Sequence, residues 1–126
     1  TDIRINEYMT LERYSMEKPL QEELAQLHAS ICQALADPTR IAILYELAEG
    51  RKNVSELVEA LGSPQGMVSR HLKVLRERQM VDSERDGVNV YYSLSDHRVI
   101  EALNLLRAVM ANILARRGRL ARALVS

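Results

Sequence analysis

Apolar residues recur at helical spacing in successive stretches of this chain, and turn-forming residues separate the stretches. From Leu20 the positions Leu24, Leu27, Ile31 and Leu35 follow at intervals of three and four, which predicts a first helix ending near Ala36. Asp37 followed by Pro38 reads as an N-cap with proline at the first helical position. Ile41, Leu44, Leu47 and Ala48 continue that second helix, and Gly50 stops it. After a polar turn at Arg51-Lys52-Asn53, the stretch from Ser55 to Leu61 turns Leu57, Val58 and Leu61 inward and ends on Gly62, a glycine of the C′ type. Ser63-Pro64 restarts a helix from about Gln65 to Glu77, with Val68, Leu72 and Leu75 on its inner face.

The pattern then changes. Val81 and the run Val88-Asn89-Val90-Tyr91-Tyr92 are β-branched and aromatic, and Arg85-Asp86-Gly87 between them is a turn signal, so a β-hairpin is expected. Asp96 can cap a last helix in which Val99, Leu103, Leu106, Met110 and Ile113 form one stripe, widened by Ile100, Ala102, Leu105, Val109 and Leu114. Such a helix is too apolar for one small domain to cover. A second copy related by two-fold symmetry would cover it, with the first helix joining the interface. Residues 1–17 keep no sustained period and read as an N-terminal arm. Residues 18–115 read as the folded domain and residues 116–126 as a basic C-terminal tail.

Composition narrows the class. The 126 residues suffice for a single domain, and 47% apolar content argues against disorder. With no Phe and no Trp, Leu, Ile, Val, Ala and Met must fill the core, which suits packed helices. No stretch reaches the roughly 18 apolar residues of a membrane span, and no signal-peptide core precedes the helices, so a cytoplasmic location is expected. The net charge of zero weighs against nucleic acid, but the distribution is uneven. After Glu101 the charged residues are Arg107, Arg116, Arg117, Arg119 and Arg122.

Helix, short turn, helix and hairpin in that order describe a winged helix-turn-helix, mainly α with a small β-hairpin, here a homodimer through its first and last helices. The second helix of the pair enters the major groove, and the hairpin wing touches the backbone. With Val68, Leu72 and Leu75 inward, Gln65, Ser69, Arg70 and Lys73 face outward, with Gly66, Met67 and His71 close by. Arg can be bidentate to guanine and Gln to adenine, while Ser, Lys and a helix N-terminus grip phosphate. An ordinary solvated face is the plain alternative. Met67 suits a thymine methyl contact or packing against the neighbouring helix equally. On the wing, Arg85 is the preferred contact beside Asn89 and Tyr91, although strand alternation turns some of these to solvent. Arg116, Arg117 and Arg119 follow DNA or form a solvated tail. A winged helix that binds protein instead of operator DNA is the competing function. No Gly-rich phosphate loop, metal motif or nucleophile paired with a base points to an enzyme.

The segments ALADPTRIAIL (Ala34 to Leu44), SELVEALG, SPQGMVSRHLKVLRERQMV and RDGVNVYYSLSD, in this order, resemble the ArsR/SmtB-type bacterial repressors. The resemblance runs from about Leu24 to Met110, and its most specific part is Val68-Ser69-Arg70-His71-Leu72 with Tyr91-Tyr92 and Asp96. It implies a dimeric winged helix that blocks a promoter until an inducer weakens DNA binding. The family's cysteine metal site aligns with Asn53, Val54 and Ser55, where no thiol remains. Its zinc-type site on the last helix aligns with Asp96, Arg98, Val109 and Asn112, which lack most of the ligands, so no metal and no cofactor are expected. Cys32 and His28 share a face of the first helix and, doubled in a dimer, could form an interchain disulfide or a soft-metal site. The favoured alternative is a small core hydrophobe at Cys32 and a surface residue at His28. The residues name neither inducer nor operator.

Overall fold

Asp37 opens the second helix by leaving its own backbone extended and accepting hydrogen bonds from the Thr39 and Arg40 N–H groups at 2.8 and 3.3 Å. The computed structural model describes residues 18–125; the arm expected over residues 1–17 lies outside them. The first helix α1 (Gln21–Leu27) continues as a π-helical turn, His28–Cys32. There follow α2 (Pro38–Ala48), a two-residue strand β1 (Lys52–Asn53), α3 (Val54–Leu61), α4 (Gln65–Glu77), β2 (Val81–Asp86), β3 (Asn89–Leu94) and α5 (Arg98–Val125).

The core gathers Ala34, Ile43, Leu44, Leu47, Leu57, Val68, Leu72, Leu75, Met80, Val81, Leu94 and Leu103. These come from the end of the first helix at Ala34 and the inner faces of α2, α3 and α4, closed by the sheet and the start of α5. Each fully buried leucine contributes roughly 1.5–3 kcal/mol, so this cluster holds α4 by its inner stripe and leaves the other side free. Tyr45 ties α2 to α5 by donating to Asn104 Oδ1 at 2.7 Å.

The polar turn expected at Arg51-Lys52-Asn53 is instead a third strand. Lys52 pairs with Tyr92 and Asn53 with Tyr91, giving an antiparallel sheet in the order β1-β3-β2. Lys52 also donates to the Glu46 carbonyl at 2.9 Å and pairs with Glu49 and Glu46, which anchors the strand to the end of α2. Asn53 then caps α3 reciprocally: its side chain accepts from the Glu56 N–H, and Glu56 accepts from the Asn53 N–H, both at 2.9 Å. This starts α3 at Val54, one residue earlier than the pattern indicates. Val88, expected in the strand, is at the tip of the hairpin beside Gly87, whose φ of 67° suits the first central position of a two-residue turn.

The last helix does not stop at residue 115. It runs 28 residues to Val125, about 42 Å, and carries Arg116, Arg117, Arg119 and Arg122 as exposed helical positions instead of a tail. Nothing in α1 is buried, and in α5 only Leu103 is. Leu20, Leu24, Leu27 and Ile31 on the first helix, and Leu106, Val109, Met110 and Leu114 on the last, remain exposed. Between the two helices lies a cavity of about 600 Å³ with Leu27, Ile31, Leu35, Val99 and Ala102 among its walls.

Candidate nucleic-acid interface

Helix α4 starts directly after Pro64, without a side-chain cap and without an acid in its first turn. Its first N–H groups and the positive end of its dipole therefore face outward. Val68, Leu72 and Leu75 are buried, which fixes the rotation of the helix about its axis. Gln65, Gly66, Ser69, Arg70 and Lys73 are all exposed on the opposite side, as the spacing indicates. Arg76 extends the same strip, and the sequence reasoning missed it although it sits one turn beyond Lys73. The first acid on the helix is Glu77, its last residue.

Gly66 is not required by packing, since a Cβ there would meet nothing nearer than the Arg70 guanidinium at 3.6 Å. What it provides is a bare backbone at the exposed helix start, where another backbone can approach closely.

Met67 and His71 fall on the flank of α4 and are half-buried. His71 is held by neighbours on α2. Arg40 Nη1 lies 3.2 Å from His71 Nδ1, and Asp37 Oδ1 lies 3.6 Å from His71 Nε2. Burial would raise the Asp37 pKa, but the N–H groups of Thr39 and Arg40, and then the charges of His71 and Arg40, outweigh it and hold the carboxyl below its ordinary range. The imidazole is thus engaged inside the domain, apart from the exposed strip.

The sheet register divides the wing residues between two faces. Arg85 pairs with Val90 and shares the face of Val81 and Ser83, beyond the core. Asn89 and Tyr91 pair with Asp86 and Glu84 on the other face. There Arg51 stacks 4.2 Å over the Tyr91 ring and donates to Asp86 at 3.1 Å, covering the ring and adding a cation that the linear pattern does not associate with the wing. Its signal was non-local, because Arg51 reaches the hairpin through the β1–β3 pairing.

Cys32 is exposed, so it is not a core residue of the protomer. The reason is that no residue of Gln21–Leu27 or His28–Cys32 is buried against the protomer's own body. His28 is exposed as well, 3.5 Å from the Gln33 side chain. Among the described residues no group of three or more His, Cys, Asp or Glu side chains stands together to hold a metal. At the zinc-type position of the resemblance, the Asp96 carboxylate accepts from Arg98 Nε and Nη2 and from the Arg98 N–H. Arg98 offers only donors and Val109 offers no polar group, so these residues do not fit a metal. The aligned cysteine position is occupied by Asn53 acting as the cap of α3.

Residues 37–83 match the family model described as bacterial regulatory protein, arsR family. The chain is similar to the HTH-type transcriptional repressor SmtB of Mycobacterium tuberculosis, 43% identical over 81 residues, which are 64% of this chain and 60% of that protein. The chain thus spans about 60% of the length of that relative. It is 42% identical over 86 residues to the HTH-type transcriptional regulator NmtR of the same species, covering 68% of this chain and 72% of that one. In three dimensions it is similar to a homodimeric winged helix-turn-helix DNA-binding domain from Mycobacterium bovis, with a TM-score of 0.64, 28% identity, and coverage of 79% and 94%.

Proposed function

Because the chain belongs to the ArsR family of bacterial regulatory proteins, we propose that it is a sequence-specific DNA-binding transcriptional repressor. In this reading it works as a homodimer in the cytoplasm, places α4 in the major groove, and leaves its operator on an inducing signal. The observation that carries the reading is the outward strip of α4. From Gln65 to Arg76 it presents Arg70, Lys73 and Arg76 with no acid, while the core holds the opposite face. Arg70 and Gln65 are assigned to base edges, and Ser69, Lys73 and the uncapped helix start at Gly66 and Met67 to phosphate. Arg85 is assigned to the backbone beside the groove. Asn89 and Tyr91 have a weaker claim, because Glu84 and Asp86 share their face. His71 is withdrawn from the reading set on account of its partners on α2.

The homodimer is supported by the two helices that lack a partner of their own. A copy related by two-fold symmetry would bury the apolar faces of α1 and α5 and fill the cavity between them. The Mycobacterium bovis domain of similar fold is described as homodimeric.

The test is binding of the full chain to promoter fragments, including the region upstream of its own gene, at several salt concentrations. Preference for one fragment with affinity falling steeply in salt is expected. A folded chain that shows neither property is instead a protein-binding winged helix, a reading that the zero net charge would suit.

A further inference from the structure

Arg40 joins the end of the first helix, the start of α2 and, 31 residues along the chain, the flank of α4. It sits in the first turn of α2, and its side chain reaches back across the Asp37 turn. Nε donates to the Ala34 carbonyl at 2.7 Å, and Nη2 donates to the Gln33 carbonyl at 2.9 Å. Those carbonyls close the first helix, where a cation is favoured, and the Gln33 oxygen also accepts from the Ala36 N–H at 3.2 Å. The remaining arm, Nη1, points at His71 Nδ1 on α4, 3.2 Å away.

The chemistry of the pair fixes which partner donates. A guanidinium only donates, so in a hydrogen bond between the two the ring accepts through Nδ1. On the other side of the ring, Asp37 Oδ1 lies 3.6 Å from Nε2, within ion-pair reach but beyond a hydrogen bond. One rigid fork therefore links the end of the first helix, the start of α2 and the flank of α4. Arg suits this role better than Lys, because its planar donors keep their mutual angles.

We propose that Arg40 and His71 form a positioning pair that sets the orientation of α4 relative to the first helix, and so passes the placement of the first helix in the dimer to the DNA-reading helix. The inference rests on the proposed reading of α4. Neither residue is assigned a contact with DNA. The pair determines where Arg70 and Lys73 stand, and it gives any event that shifts the first helix a direct mechanical route to the reading face.

A double-mutant cycle on the full chain tests this. Arg40→Ala and His71→Ala are each expected to weaken operator binding about tenfold, and the double variant no more than either alone, since one linkage is removed in all three. His71→Asn places an acceptor oxygen near the position of Nδ1 and is expected to recover most of the loss. The slope of log affinity against log salt should stay unchanged in every variant, whereas Lys73→Ala should flatten it by about 1. Additive losses, a flattened slope in the Arg40 or His71 variants, or full affinity in His71→Ala would each overturn the proposal. Because Arg40→Ala also removes the side-chain donor from the Ala34 and Gln33 carbonyls, hydrogen exchange of the DNA-free protein serves as the second readout. Faster exchange of α4 amides in His71→Ala, restored in His71→Asn, is expected, and unchanged exchange overturns the pair. If the parent chain binds no operator, the proposed function fails while the exchange result still decides the linkage.

Discussion

Arg98 Nη2 donates to Asp96 Oδ2 at 2.6 Å, and the Arg98 N–H donates to the other oxygen of the same carboxylate at 2.9 Å. The Arg98 side chain and then its backbone N–H are the main causes that lower the Asp96 pKa from 3.8 to about 2. A carboxylate whose pKa is lowered in the folded state stabilises that state above its unfolded pKa, and the contribution is lost as pH falls through the folded value. Asp96→Asn is therefore expected to be less stable than the parent at pH 7. The gap should close between about pH 4 and pH 2, measured by urea unfolding across that range. The pair is half exposed, so solvent screening keeps the difference to about 1 kcal/mol or less. A gap that stays constant down to pH 2 would remove Asp96 from the start of α5 as an electrostatic element.

Arg70 and Lys73 stand on the same exposed strip but are assigned different partners. Arg70→Ala is expected to cost about 1–3 kcal/mol of operator binding and to relax the preference at one base pair. Lys73→Ala should weaken all fragments alike and reduce the salt slope by about 1. Both variants should keep the parent's melting temperature, because neither side chain is in the core. Binding isotherms on operator and scrambled fragments at three salt concentrations separate the two effects, and identical behaviour of the two variants would refute the assignment.

Gln79 ends α4 with a φ of 61°, a conformation that costs a residue with a Cβ roughly 1 kcal/mol. It is held there because the Met80 N–H donates to the Leu75 carbonyl at 2.8 Å and the Gln79 N–H to the Arg76 carbonyl at 3.0 Å, closing a Schellman turn. Met80 and Leu75 are both buried in the core cluster, which completes the motif. Gln79→Gly is expected to raise stability by up to about 1 kcal/mol, seen as a rise of a few degrees in thermal unfolding. A fall in melting temperature would show that the side chain contributes more than the strain.

Met110 lies near the middle of the exposed stripe of α5, 55% accessible in the protomer. A charge placed there would be buried in a dimer and harmless in a monomer. Met110→Asp is expected to leave the far-ultraviolet spectrum unchanged, to shift sedimentation from dimer to monomer, and to reduce operator affinity by at least about a hundredfold, since two half-sites are no longer engaged together. Persistence of the dimer would move the interface elsewhere.

Much of this was legible in the linear pattern for a physical reason. Helix interiors announce themselves through neighbours three and four residues away, so Val68, Leu72 and Leu75 gave the buried side of α4 and left Gln65, Ser69, Arg70 and Lys73 outside. Caps are equally local, as with Asp37-Pro38 and with Gly62, which takes a φ of 66° after α3. Two further local signals lie in the sequence. Asn53 and Glu56 have the spacing of a reciprocal cap, and beyond Ile113 the positions Leu120 and Leu124 continue the helical stripe through the arginines.

The amino-acid order by itself thus determined the sequence of elements, the buried side of each helix and the excess of apolar surface on the first and last. Only the tertiary structure decided that Lys52 and Asn53 form a strand, because their partners Tyr92 and Tyr91 are some forty residues away and pairing across that gap leaves no local period. It likewise decided that His71 faces Arg40 and Asp37, that Asn89 and Tyr91 share a face with acids, and that Cys32 is outside the core. Each of these depends on which element packs alongside, a choice made by the burial of the whole cluster and not by the spacing of residues along one helix or strand.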